Sequence, residues 1–175
     1  MIRLAHALVC GLLLLAACHP QPSPPSPEPL AAPAKVATPI EVALRAIAGG
    51  GEIPADLVIR YSDMHGMHGG STISLNGSGA LQSEHVDRGS RTRRAGTLST
   101  DSVRAIVGLL VELEAWEQRT PPRQPVPDES AAGLTVRAAG HEARIWEWYN
   151  DMGANDRLSR VFARLRTHAA RFAEN

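Results

Sequence analysis

Apolar residues fall along this chain in three distinct rhythms. Residues 4–17 are apolar apart from His6, with Leu12-Leu13-Leu14-Leu15 at the centre. Residues 19–38 are dominated by Pro20, Pro22, Pro24, Pro25, Pro27, Pro29 and Pro33. From there on, helical spacing and strict alternation take turns. Thr38-Pro39-Ile40-Glu41 has the form of a capping box with proline at the first helical position. It predicts a short, loosely docked helix to about Ala48, stopped by Gly49-Gly50-Gly51. Leu57-Val58-Ile59-Arg60-Tyr61 alternates as a strand, with Leu57, Ile59 and Tyr61 on one side. Thr72-Ile73-Ser74-Leu75 and Ala80-Leu81-Gln82-Ser83 flank Asn76-Gly77-Ser78-Gly79, a strong hairpin signal. Residues 87–96 read as a polar loop.

A second helix opens at Ser99, a natural cap, with Asp101 suited to its positive end. Val103, Ile106, Val107, Leu110 and Leu113 recur at helical spacing and are expected in the core. Pro121, Pro122, Pro125 and Pro127 make residues 120–130 a stiff loop. Leu134-Thr135-Val136-Arg137 and Ala143-Arg144-Ile145-Trp146 predict another hairpin around Ala139-Gly140. A last helix is expected over residues 155–172, with Leu158, Val161, Phe162, Leu165 and Phe172 on one side. Grouped strands and grouped helices imply an α+β fold: a small antiparallel sheet of about five strands, two main helices on one face, and a short N-terminal helix.

The apolar run at the start is too short to span a bilayer, which takes about 20 residues. Preceded by Arg3, it reads as the core of a signal peptide. It ends in Leu15-Ala16-Ala17-Cys18, which resembles the lipobox of bacterial lipoproteins. That resemblance implies removal of residues 1–17 and acylation of Cys18. It also makes the bilayer a partner of the mature chain, because each buried methylene of the acyl chains contributes about 0.8 kcal/mol. His19 rather than Asp follows the cysteine, which by analogy with diderm sorting signals implies the outer membrane. The organisation expected is a signal peptide (1–17), a lipidated cysteine and proline-rich tether (18–38), a short helix with a glycine linker (39–51), and a globular domain (52–175). In a polyproline conformation the tether would reach roughly 60 Å.

Charge and chemistry narrow the classes further. Lys and Arg balance Asp and Glu at 18 each, and Lys35 is the single lysine. No basic excess exists to favour nucleic acid as a partner. The cysteines are Cys10, inside the signal segment, and Cys18, so the mature domain has no thiol for a disulfide, a thiolate metal site or a nucleophile. The sequence contains no G-x-S-x-G, P-loop, H-E-x-x-H or C-x-x-C. His141-Glu142 starts like a zinc-protease motif, but Ile145 stands where the second histidine belongs. Adjacent Asp128 and Glu129 read as solvated loop residues. No enzymatic activity and no cofactor are expected.

Four segments carry candidate sites. Met64, His65, Met67 and His68 combine thioether and imidazole among glycines, a set suited to copper, with His85 able to approach from the neighbouring hairpin. Arg88, Arg91, Arg93 and Arg94 form a basic segment that could meet anionic headgroups, lipopolysaccharide or peptidoglycan carboxylates. Trp146 and Trp148 share a strand face, read first as core packing and second as a ridge for carbohydrate or protein. The stiff 120–130 loop could present Arg119 or Arg123 to a protease.

Residues 57–170 resemble a group of small bacterial exported or lipoprotein domains. The carrying residues are Asn76-Gly77-Ser78-Gly79, Gly96-Thr97-Leu98-Ser99, Leu109-Leu110, Pro127-Asp128, Leu134-Thr135-Val136 and Gly140. More distantly the chain is similar to emfourin-like inhibitors of thermolysin-type proteases, which combine a small sheet, two helices and a Gly-Gly segment after the first strand, here His68-Gly69-Gly70. The expectation is a membrane-anchored envelope interaction module that binds a protein or polymer. Protease inhibition is the runner-up and periplasmic copper binding the third reading.

Overall fold

A computed structural model describes residues 36–65, 68–120, 123–124, 126–153 and 156–174. Cys18, the signal segment, nearly all of the tether and Met67 lie outside them. The described elements are α1 (Pro39–Ala48), β1 (Val58–Ser62), β2 (Gly69–Asn76), β3 (Ala80–Asp87), β4 (Ser90–Thr97), α2 (Thr100–Glu112), β5 (Ala131–Ala138), β6 (His141–Trp148), a single 3-10 turn (Tyr149–Asp151) and α3 (Arg157–Ala169). The strands form one sheet in the order β4-β3-β2-β1-β5-β6, every neighbouring pair antiparallel. The fold is α+β as the alternating patterns implied, with six strands rather than about five.

The additional strand is β4. Residues 87–96 are not a loop but most of a hairpin: Arg88 and Gly89 turn with positive φ (47° and 86°), and Ser90–Thr97 pairs with β3. The other hairpins follow their turn signals. The Asn76 side chain accepts the N–H groups of Ser78 and Ala80 at 3.1 and 3.0 Å, which closes β2–β3. Ala139 and Gly140, both at positive φ, close β5–β6, and the Asp56 carboxylate accepts both of their N–H groups at 3.0 and 2.7 Å.

The helices begin where the caps placed them. Thr38 Oγ1 accepts Glu41 N–H, and Ser99 Oγ accepts Ser102 N–H. All five of the periodic apolar residues of the α2 segment are buried. The helix α1 is not loosely docked: Ile40, Leu44 and Ile47 are buried, and Arg104 of α2 donates to the carbonyls of Ile47 and Gly51 at 2.8 and 2.6 Å. The core lies between one face of the sheet and the helices. Ile59 and Tyr61 meet Ile73, Leu75, Leu81, Leu134, Val136 and Ile145 there, with Tyr61 stacked on Phe162 of α3 at 4.6 Å. Every core residue belongs to the unit Val36–Asn175. Among the described residues no helix is long and apolar enough to cross a membrane.

Candidate functional site

Pleating sends alternate residues of each strand to opposite faces. The inner face is the core. The outer face carries no core residue, and the strand register arranges its side chains in rows. One row runs Arg93, Glu84, Thr72, Ser62, Gly133, Trp146 across all six strands. The next runs Ala95, Gln82, Ser74, Arg60, Thr135, Arg144. Beyond it Val58 opposes Arg137, which opposes Glu142. The short hydroxyl side chains of β2, set among the longer side chains of Arg60, Gln82, Glu84 and Arg93, lie in a shallow depression of about 580 Å³ lined by Arg60, Thr72, Ser74, Gln82, Glu84 and Arg93.

Charge on this face is organised in triplets. Glu84 pairs with Arg91 and Arg93 at 3.3 and 3.0 Å. Glu142 sits between Arg137 and Arg144, both at 2.7 Å. These hydrogen bonds, that from Arg137 foremost, hold the Glu142 carboxyl below the usual carboxylate range. Arg60 is exposed between the triplets and joins none of the ion pairs among the described residues. The face thus carries five arginines against two glutamates.

The two tryptophans belong to this outer face, not to the core. Their rings meet edge to face at 5.2 Å, and Trp146 is 41% exposed. Between them Glu147 points inward, 1% exposed, towards Arg157 of α3 at 3.4 Å. The tryptophan buried in the core is instead Trp116. Tyr149 does not continue the strand; it starts the 3-10 turn and is exposed.

The four arginines of the basic segment do not act as one patch. Arg88 is at the hairpin tip, Arg91 and Arg93 face outward, and Arg94 turns to the helix side and pairs with Glu174. Residues of the 120–130 loop are likewise committed within the chain. Arg119 pairs with Glu114 and Glu117. Arg123 donates to Glu129 and Asp151 at 2.6 and 2.9 Å and lies 5.0 Å over the Trp148 ring. Those carboxylates, Glu129 first, raise the Arg123 pKa above its ordinary value. The Glu129 side chain is therefore a buried ion-pair member, not a solvated loop residue.

The histidine-containing segment lines a separate cleft of about 440 Å³ together with Asp63, Asp128 and Tyr149. His65 and Gly69 exchange backbone hydrogen bonds, and the His65 and His68 rings stack at 4.9 Å. One His65 nitrogen, Nε2, is 3.0 Å from the Asp128 carbonyl. His85 lines the same cleft, with Nδ1 2.9 Å from Ser71 Oγ. Asp63 accepts Ser71 N–H at 2.5 Å and the Tyr61 hydroxyl at 3.1 Å. Burial foremost, with the Asp63 charge beside it, pushes the Tyr61 hydroxyl above its usual pKa. Among the described residues no three His, Cys, Asp or Glu side chains converge as a metal-holding group. Met64 is exposed at the cleft's end of β1.

Both edges of the sheet are plugged at one point. On β6 the Gln118 amide donates to Trp146 O at 2.8 Å and accepts Trp146 N–H at 2.9 Å, and Thr120 Oγ1 donates to the same carbonyl at 2.7 Å. On β4, Glu174 forms an antiparallel bridge with Arg94. Sequence reading missed Arg60, Arg137, Arg144 and the central hydroxyls as surface candidates. Their signal was present as the polar positions of each alternating strand. The sequence matches no protein-family model, and no curated protein matches it.

Proposed function

We propose that the chain is a lipoprotein of the cell envelope, anchored in the outer membrane through acylated Cys18, whose domain is a non-enzymatic interaction module binding through the outer face of its sheet. The lipobox-like Leu15-Ala16-Ala17-Cys18 and the proline-rich tether support the anchoring. The observation that carries the binding surface is the outer face itself: six strands wide, polar, flanked by an exposed tryptophan, and with none of the described helices over it. The plugged edges favour this face over strand addition, which needs free edge N–H and C=O groups. Arg123, the basic side chain of the stiff loop, is largely enclosed between Glu129 and Asp151, which does not favour the inhibitor reading.

Two measurements test the proposal. Labelled palmitate is expected in the wild-type chain and not in Cys18→Ala; an unlabelled wild-type chain overturns the anchor. The unit Val36–Asn175 is expected to be retained on purified outer membranes or sacculi. Ser74→Glu with Thr135→Glu, in the middle of the face, is expected to abolish retention, while Arg164→Ala on exposed α3 leaves it unchanged. Equal retention of the face variant and the wild type overturns the surface assignment.

A further inference from the structure

The outer face has a chemical character more specific than polarity. Guanidinium groups bind carboxylate and sulfate through paired N–H donors. Five of them stand on this face, and the two glutamates there are each already held between two arginines. The middle of the face is lined by the hydroxyls of Ser62, Thr72, Ser74 and Thr135, which both donate and accept. Within the six strands Trp146 is the exposed large apolar side chain. Beside it the face adds chiefly the half-buried Trp148 and Val58, too little apolar surface for a bilayer or an apolar peptide to bury against. A flat polar ligand that carries negative charge and one apolar surface per unit would find all three partners. The strands span five steps of about 4.8 Å, so the register rows provide a track roughly 24 Å long from Arg93 to Trp146.

We propose, resting on the binding-face reading above, that this track binds a linear acidic polysaccharide. Its carboxylate or sulfate groups pair with Arg60, Arg93 and Arg144, its hydroxyls bond to Thr72, Ser74 and Thr135, and one sugar ring stacks on Trp146. The tryptophan supplies selectivity for a sugar over other polyanions, and the arginines supply selectivity for acidic over neutral glycans.

The test titrates Val36–Asn175 with polygalacturonate, following heat and tryptophan fluorescence, beside neutral dextran, polyglutamate and phosphatidylglycerol vesicles. Saturable binding to polygalacturonate is expected, at least tenfold tighter than to any of the other three and weakened by added salt. Arg60→Ser with Arg144→Ser, and separately Trp146→Ala, are expected to weaken it at least tenfold. Both alter exposed side chains, and unchanged melting curves establish that the variants fold. Equal affinity for polyglutamate reduces the face to a charge-only surface and overturns the proposal, as do vesicle binding without polygalacturonate binding, binding insensitive to these variants, or no binding. If polygalacturonate fails while Ser74→Glu with Thr135→Glu still abolishes retention on envelope fractions, the ligand class falls and the binding face stands. If both fail, the binding face falls too.

Discussion

The strand that carries Trp146 and Trp148 is pinned to α3 by a buried ion pair, and breaking that pair should cost more than removing it whole. Arg157 donates to Glu117 O at 2.9 Å, Glu114 O at 3.4 Å and the Glu147 carboxylate at 3.4 Å. The side chains of Arg157 and Glu147 are 6% and 1% exposed. Burial lowers the Arg157 pKa, and the Glu147 charge opposes that shift. Arg157→Met removes the guanidinium that faces the buried Glu147 carboxylate, and with it the donor to the Glu114 and Glu117 carbonyls. Loss of one partner of a buried pair costs about 3–5 kcal/mol. For a domain of this size that lowers the melting temperature by roughly 10–15 °C. Glu147→Leu should cost a similar amount, because it leaves the guanidinium charge buried. The double variant Arg157→Met/Glu147→Leu removes both charges and keeps apolar volume, so its cost should fall to about 2 kcal/mol, the two carbonyls accounting for it. The assay is urea unfolding followed by far-ultraviolet circular dichroism on all four chains. A double variant whose loss equals the sum of the singles, or an Arg157→Met loss under about 1 kcal/mol, refutes the coupling.

Three other outcomes follow from the geometry. Leu44→Ala, at a fully buried position of α1, should cost about 2–5 kcal/mol in the same urea assay; a loss under about 1 kcal/mol would mean α1 is docked as loosely as the sequence suggested. The Gly140 and Ala139 N–H groups hold the Asp56 pKa down. Its stabilising contribution is therefore present above the ordinary carboxylate pKa of about 4 and is lost as the pH falls through the lower folded value. Asp56→Asn should melt lower than wild type at pH 6, with the gap narrowing towards pH 2–3; a constant gap refutes the linkage. Iodide should quench a fraction of wild-type tryptophan emission that disappears in Trp146→Phe, because Trp116 is buried and Trp146 is not; equal quenching in the two chains would return Trp146 to the core.

What was legible in the sequence was whatever depended on local chemistry. Thr38 and Ser99 cap their helices because their hydroxyls reach N–H groups three residues on. Asn76 and the Ala139-Gly140 pair mark turns for equally local reasons. The strand β4 was not legible because Ser90-Arg91-Thr92-Arg93-Arg94-Ala95-Gly96 has no large apolar residue on either side. One of its faces meets water and the other meets Phe172 and Glu174 across the core's margin, where Gly96 lies directly under the Phe172 ring. Alternation was therefore invisible, and only the Arg88-Gly89 turn remained as a clue. The tryptophans were assigned inward for a related reason. Size and hydrophobicity favour burial of Trp146 and Trp148 over Glu147, and Glu147 is inward only because Arg157, on another element, meets it there. The outer face as one surface was unreadable for the same cause at larger scale: its rows join residues up to 84 positions apart, as Asp56 and Gly140 are joined at the neighbouring turn.

The Gln118 clip on β6 has a consequence for how many copies can share a small area. Its side-chain amide stands in for a one-residue strand, occupying the N–H and C=O of Trp146 that would otherwise recruit another chain. Glu174 does the equivalent on β4. An open six-stranded sheet is a template for end-to-end polymerisation, and the hazard rises with local concentration. If Cys18 carries lipid, the chains are confined to a surface, where encounters between edges are far more frequent than in solution. A glutamine at one border and a glutamate at the other would then keep a crowded layer of these domains as separate molecules rather than as fibres.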